Sequence, residues 1–276
     1  MRLIDSHGHL QARVFTDDAA RVLDDARRAG LERLMAPGWD APTSVAGVGL
    51  ASELSVLTSV GFHPHVAGDV TPGDRERISA LVPEPLVRAI GETGLDYDRA
   101  FSPREVQLDN LRWHIALARQ SGKPLILHCR SKPGRRDAQD DLLDELRTAG
   151  VGTPGFAARF AGRPPAVLHS FSGPVDYAET ALELGCAVSI SGLAFRRGEE
   201  TTADVARLVP ADRLLVETDA PYLSPPGALR RNEPRWVEVT ARWVAERRGV
   251  DPDLLGDQLV DAFDRTFGAP ARVSPA

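Results

Sequence analysis

Six of the seven histidines in this 276-residue chain stand just after short apolar runs, and acidic residues stand with them. His7 and His9 follow the run at 3–4, His63 and His65 the run at 54–60, and Glu92 the run at 86–90. His128 and Arg130 follow 125–127, His169 follows 166–168, and Glu217 and Asp219 follow 214–216. His7-x-His9, His128-x-Arg130 and Glu217-x-Asp219 are spaced by two, so each pair points to one side of a strand. A lone histidine of this kind is usually a satisfied core residue; so many at run ends argue for chemistry. Imidazoles with carboxylates are a ligand set for zinc, manganese, cobalt or iron, whereas an all-oxygen cage suits magnesium or calcium. Four histidines and two carboxylates exceed one tetrahedral site, and two ions bridged by a carboxylate and a water would use all six. His7, His9 and Asp219 are the candidate ligands of one ion, His128 and His169 of the other, and Glu92 of both. Such a pair acidifies its water and supplies a bridging hydroxide near neutral pH.

Something must bring together residues more than 200 positions apart. Besides the six runs above, apolar runs stand at 31–35 and 187–190, and run starts lie about 20–40 residues apart, room for a strand and a crossover helix. Helices are expected at 17–29, 103–121, 138–149, 177–184 and 233–248; in the second, Val106, Leu108, Leu111, Ile115, Leu117 and Ala118 fall largely on one face. Ser102-Pro103 reads as an N-cap with a first-turn proline, and Gly30, Gly122, Gly150 and Gly185 as C-terminal stops. The expectation is an α/β fold, a single-domain (β/α)₈ TIM barrel over 1–276, with a doubly wound sheet as the alternative. An extra loop is expected at about 150–165 and C-terminal helices at about 233–267. In a barrel, every strand's C-terminal end opens on one rim, which is where the candidate ligands converge.

A net charge of −6 excludes a binder held to nucleic acid by bulk positive charge, though not a site that collects one anion. Two cysteines, Cys129 and Cys186, are too few for a disulfide framework and read as reduced. The opening MRLIDSHGHL fits neither a signal nor a transit peptide, and no 18-residue apolar window occurs, so a cytoplasmic protein without membrane or obligate protein partner is expected.

The strings DSHGHL, GFHPH, GETGLD, LHCR, LHSFSG and ETDAPYL, in that order, resemble the TatD family of metal-dependent hydrolases and deoxyribonucleases, from residue 4 to about 240; LRRNEP at 229–234 fits as well. The resemblance implies a (β/α)₈ barrel, a divalent-metal site and phosphodiester hydrolysis, often 3′ to 5′ exonuclease action on DNA. Its ligand positions fall on His7, His9, Glu92, His128, His169 and Asp219, with glutamate where many relatives carry a carboxylated lysine. Two departures are a longer 137–165 segment and MAPGWD after the second run; neither is expected to touch a ligand.

The resulting expectation is a hydrolase with two divalent ions, magnesium, manganese or zinc, acting on single-stranded or frayed 3′ DNA ends. Asp219, Glu92 and His63 are the candidate catalytic residues, with Asp219 taking or orienting the water's proton. His63, His65, Arg130, Ser170, Tyr222 and Asn232 are candidate substrate contacts: Arg130 as a phosphate fork, Tyr222 as a base-stacking ring, and Asn232 with Arg230 and Arg231 at the entrance. Asp5 and Glu217 are expected to orient ligand histidines. Each has a plainer reading: a salt bridge for Arg130 to Glu92 or Asp96, a Pro64-shaped turn for the histidine pair, an N-cap for Asp219, rim packing for Tyr222, a solvated loop for Asn232. Cys129, alternating away from His128, reads as packing rather than as a nucleophile. The same ligand set would also serve an amide, a lactone or an aminoacyl ester on tRNA, and a non-catalytic partner subunit would be marked by a missing ligand.

Overall fold

The computed structural model describes residues 1–228 and 231–269. Eight short strands, β1 (Leu3–Asp5), β2 (Leu31–Pro37), β3 (Leu57–Val60), β4 (Val87–Asp96), β5 (Leu125–Arg130), β6 (Ala166–Leu168), β7 (Ala187–Ile190) and β8 (Leu214–Val216), pair in parallel in chain order. The ring closes just beyond β1 and β8, where the Ser6 amide donates to Val216 O and Gly8 bridges Ala220. This is a (β/α)₈ barrel. Ile4, Val60, Ile90, Leu127, Val167, Val188, Ile190 and Leu215 are fully or almost fully buried, as strands covered on both faces must be.

The helices α1 (Ala19–Arg28), α2 (Ala41–Leu54), α3 (Pro72–Leu81), α4 (Arg104–Ser121), α5 (Asp137–Thr148), the single turn α6 (Pro154–Ala157), α7 (Val175–Glu183), α8 (Thr202–Leu208), α9 (Val237–Arg248) and α10 (Pro252–Phe267) surround the strands. The segment at 150–165 thus holds α6 and a 3₁₀ turn, Ala158–Phe160. Helix α2 is absent from the expected helices because APTSVAGVGLASEL has no polar and apolar faces; what starts it is a capping box, Asp40 accepting from the Thr43 amide at 2.7 Å and Thr43 Oγ1 accepting in return. Helix α4 corrects a second expectation. Pro103, not Ser102, occupies the N-cap, and the Ser102 hydroxyl donates to His65 O and accepts from the Gly68 amide instead.

The buried face of α4 is also more polar than its apolar stripe suggests. Val106 and Leu117 are only half-buried, while Gln107, Asn110 and His114, one helical turn apart, are fully buried. Asn110 Nδ2 donates to Phe62 O (2.8 Å), and His114 Nε2 accepts from the Phe62 amide (3.0 Å) while its Nδ1 donates to Asn110 O. Gln107 grips Asp96 at both its amide and its carbonyl. The helix therefore holds the ends of β3 and β4 by their backbones.

Burial pushes the His114 imidazole down to about 3 from its ordinary 6.5, so it stays neutral. Because the unfolded chain binds this proton first, the associated stability is complete above pH 6.5 and is lost as pH falls from there towards 3. His114→Gln, which keeps an acceptor for the Phe62 amide, is expected to be less stable at pH 8 yet to lose less stability between pH 6.5 and 4; parallel denaturant-midpoint curves for the two proteins would refute this role.

Candidate metal centre

Strand β4 sets the position of the central carboxylate. Ile90 pairs with Leu125 but Thr93 with Leu127, so β4 carries one residue more than β5 over this stretch. The bulge holds Gly91 and Glu92, and such an extra residue re-aims the side chain beside it. The close approach of β4 to β5 requires glycine: a Cβ on Gly94, at φ +133°, would lie 1.9 Å from His128 O.

Around Glu92 the ends of five strands converge. Its Oε2 lies 3.3 Å from His7 Nε2 and 3.7 Å from His9 Nε2, and these two nitrogens are 3.1 Å apart. Asp219 Oδ1 joins that group, 3.4 Å from His9 Nε2 and 3.9 Å from His7 Nε2. On the other side, Glu92 Oε1 lies 2.9 Å from His169 Nε2 and 3.3 Å from His128 Nδ1. One carboxylate thus faces two separate groups of ligand atoms, one with each oxygen.

Hydrogen bonds at the outer ring nitrogens identify which inner nitrogens carry lone pairs. His9 Nδ1 donates to Pro37 O (3.0 Å) and its ring packs against Trp39 (centroids 5.0 Å apart), so the MAPGWD segment, expected to touch no ligand, does touch one. His169 Nδ1 donates to Glu217 Oε1 (3.1 Å) and His128 Nε2 to Asp96 Oδ2 (3.2 Å). In the neutral rings, the opposite nitrogens are therefore acceptors aimed at other acceptors, an arrangement that needs a cation between them. A proton also answers this need. Burial lowers His169, but Glu92 and Glu217 outweigh it and hold its imidazole well above the ordinary range. Burial likewise pushes the Glu92 carboxyl up, and His63, His169 and His7 outweigh it, holding it well below the usual carboxylate range. A divalent ion entering here would displace protons. The donor set fits such ions.

His63 is different. Its Nδ1 accepts from the His65 amide (3.0 Å), so the neutral ring carries its proton on Nε2, 3.2 Å from Glu92 Oε1. Burial pushes it down to about 4. It is a neutral hydrogen-bond donor aimed into the site.

The structure places the remaining expected residues unevenly. Glu217, fully buried, orients His169. Asp5 orients no ring: it accepts from the His7 amide (3.2 Å), the Thr218 amide (3.0 Å) and Thr218 Oγ1 (2.6 Å), tying the β1 end to the β8 loop. Asn232 does not line the entrance. It is fully buried, and its Nδ2 donates to Thr218 O (2.8 Å) and Tyr222 O (2.6 Å), holding the turn that carries Asp219. Arg231 pairs with Asp18 and Glu233, and Arg230 lies outside the described residues. Arg130 Nε pairs with Asp98 (2.9 Å) rather than Glu92 or Asp96. Ser170, at φ +44°, shares a hydrogen bond with Ser191 Oγ (2.7 Å), and Tyr222 stands exposed at the rim. Burial pushes the Cys129 thiol up to about 12, which leaves no thiolate for nucleophilic work.

Asp96, expected only as a partner for Arg130, instead accepts at Oδ2 from both His65 Nε2 (2.8 Å) and His128 Nε2 (3.2 Å). Burial pushes its carboxyl up, but those two imidazoles hold it far below the ordinary range. A signal was present: residues 92, 94 and 96 share one face of a strand at period two.

Among the described residues, no helix is long and apolar enough to cross a membrane. A family model for TatD related DNase matches residues 4–268. The chain is 32% identical to the uncharacterized metal-dependent hydrolase YabD of Bacillus subtilis, over 96% of this chain and 98% of that one. It is 35% identical to a 3′-5′ ssDNA/RNA exonuclease TatD of a Rahnella strain, over 96% and 97%. The crystal structure of YjjV, a TatD homolog from Escherichia coli K12, superposes with a TM-score of 0.85 at 26% identity, covering 98% of this chain and 99% of that one.

Proposed function

Because the chain belongs to the family of TatD-related DNases and is a metal-dependent hydrolase of ester bonds, we propose that it removes nucleotides from the 3′ ends of single-stranded or frayed DNA, using two divalent ions. The observation that carries this reading is Glu92, with three ligand atoms gathered on the side of one oxygen and two on the side of the other. Magnesium, manganese or zinc ions held there would supply an acidified water and offset the charge of a phosphate.

The chain's own residues do the rest. His7, His9 and Asp219 would hold one ion, His128 and His169 the other, and Glu92 would serve both. Asp219 takes or orients the water's proton: burial pushes its carboxyl up, but His9 and the neighbouring imidazoles bring it below the ordinary range, so it is ionised and offers lone pairs to the water. His63 presents Nε2–H to a phosphate or leaving oxygen without adding a charge. Arg130, exposed beside His128, has terminal guanidinium nitrogens for a neighbouring phosphate. The nucleic-acid substrate is supported by the name of the Rahnella relative.

The test is metal-replete protein with end-labelled single- and double-stranded DNA, a chelator control and His7→Ala. A chelator-sensitive ladder shortening from the 3′ end is expected, with none from His7→Ala. Intact DNA together with hydrolysis of an amide or ester panel would overturn the proposal.

A further inference from the structure

The two most exposed large apolar side chains among the described residues are both aromatic, and both stand at the mouth of the metal centre: Phe101, 66% exposed, and Tyr222, 59% exposed. Phe101 lies between β4 and α4, and Tyr222 lies beyond β8. In an eight-stranded ring, β4 and β8 are four strands apart, so these loops face each other across the barrel axis. Each ring packs T-shaped against one of the site's histidines, Phe101 against His65 (centroids 4.8 Å apart, planes at 80°) and Tyr222 against His9 (6.2 Å, 70°). T-shaped packing against one histidine fixes each ring's position, and the exposure of the remaining ring surface leaves room for another flat group.

Between the two aromatics, along one side of the mouth, run the loops after β5 and β7, with exposed Arg130, Lys132, Arg196 and Arg197. A run of cations flanked by an aromatic ring at each end suits a nucleic-acid strand whose bases are unpaired, since each base presents a flat π-face and each linkage a charge. A paired base has its faces covered by neighbours in the duplex.

We propose that Phe101 and Tyr222 are paired base-stacking platforms that hold the nucleotides on either side of the scissile phosphate, which makes an unpaired end a requirement of binding. The inference rests on the phosphodiesterase reading above. Phosphate chemistry alone would accept any diester; the platforms restrict the site to diesters flanked by flat, accessible bases.

The test uses the metal-loaded full chain, with metal content measured for every variant. Two single-stranded oligonucleotides serve as substrates: one ordinary, and one whose two 3′-terminal nucleotides carry a tetrahydrofuran ring in place of sugar and base. Phe101→Ala and Tyr222→Ala are each expected to raise KM about tenfold on the ordinary oligonucleotide and less than about twofold on the baseless one. Phe101→Trp should restore the wild-type KM, and Phe101→Leu, apolar but without a π-face, should not. Unchanged KM in both alanine variants, while the wild type cleaves, would overturn the platforms and leave the nuclease reading standing. Equal losses on both oligonucleotides, or rescue by leucine, would show that the side chains only shape the mouth. A wild type that cleaves neither oligonucleotide would remove the nuclease reading and the platforms together.

Discussion

Glu92→Gln is expected to lose most of its bound metal and to reduce turnover at least about a thousandfold, the largest effect of any single substitution at the site. The reason is geometric. Glu92 is 3% exposed, and every ligand histidine lies within 3.7 Å of one of its two oxygens. Glutamine keeps the volume, but it removes the negative charge and replaces one oxygen with an NH₂ group that cannot ligate. Breaking a buried charge pair at one partner typically destabilises it by about 3–5 kcal/mol, which is roughly two to three and a half orders of magnitude in affinity. Here the loss falls on both groups of ligands, so metal content measured after exhaustive dialysis should drop at both sites rather than one. A Glu92→Gln protein that retains two ions and turns over within tenfold of wild type would show that Glu92 is not the shared ligand.

The central set of His7, His9, Glu92, His128, His169 and Asp219 is legible in the sequence because barrel topology does the folding argument: a ligand at the end of each apolar run goes to one rim whatever lies between the runs. What is not legible lies one step outward. Strand β4 reads as stopping near residue 90, since glycine and acidic residues follow, whereas it continues to Asp96 because Gly91 and Gly94 let its backbone press against β5. Asp96 therefore stands in what looks like a turn, and its spacing of four from Glu92 counts only once the strand is known to continue. Helix α4 reads as an apolar stripe, and its buried Gln107, Asn110 and His114 are missed because polar residues on a buried face declare themselves only through their partners, here backbone groups of Phe62, Asp96 and Ser102. Asn232 looks like a polar residue in a basic loop; only the fold shows that it points inward to brace the turn carrying Asp219. Pairings between distant residues escape a one-dimensional reading, and these second-rank contacts are of that kind.

Asp219→Asn separates binding the metal from using it. Asp219 sits at φ +55° with its amide donating to His7 O (2.8 Å), and Asn232 holds the carbonyls on either side of the turn, so the backbone that aims this side chain does not depend on its charge. Asparagine tolerates the left-handed region and keeps an oxygen for ligation. What it loses is the ability to accept a proton. The expected result is a folded protein whose metal affinity falls no more than about tenfold and whose turnover falls about 10²–10⁴-fold, the range of a lost general base. The contrast with Glu92→Gln is the informative part, because there metal and turnover should be lost together. Titrating turnover with added metal distinguishes the two: saturating metal should leave the turnover of Asp219→Asn as low as before. Recovery of wild-type turnover at saturating metal would mean that Asp219 is a ligand and nothing more, and the proton would then have to leave by another route, with His63 excluded because its one free ring nitrogen already carries a proton.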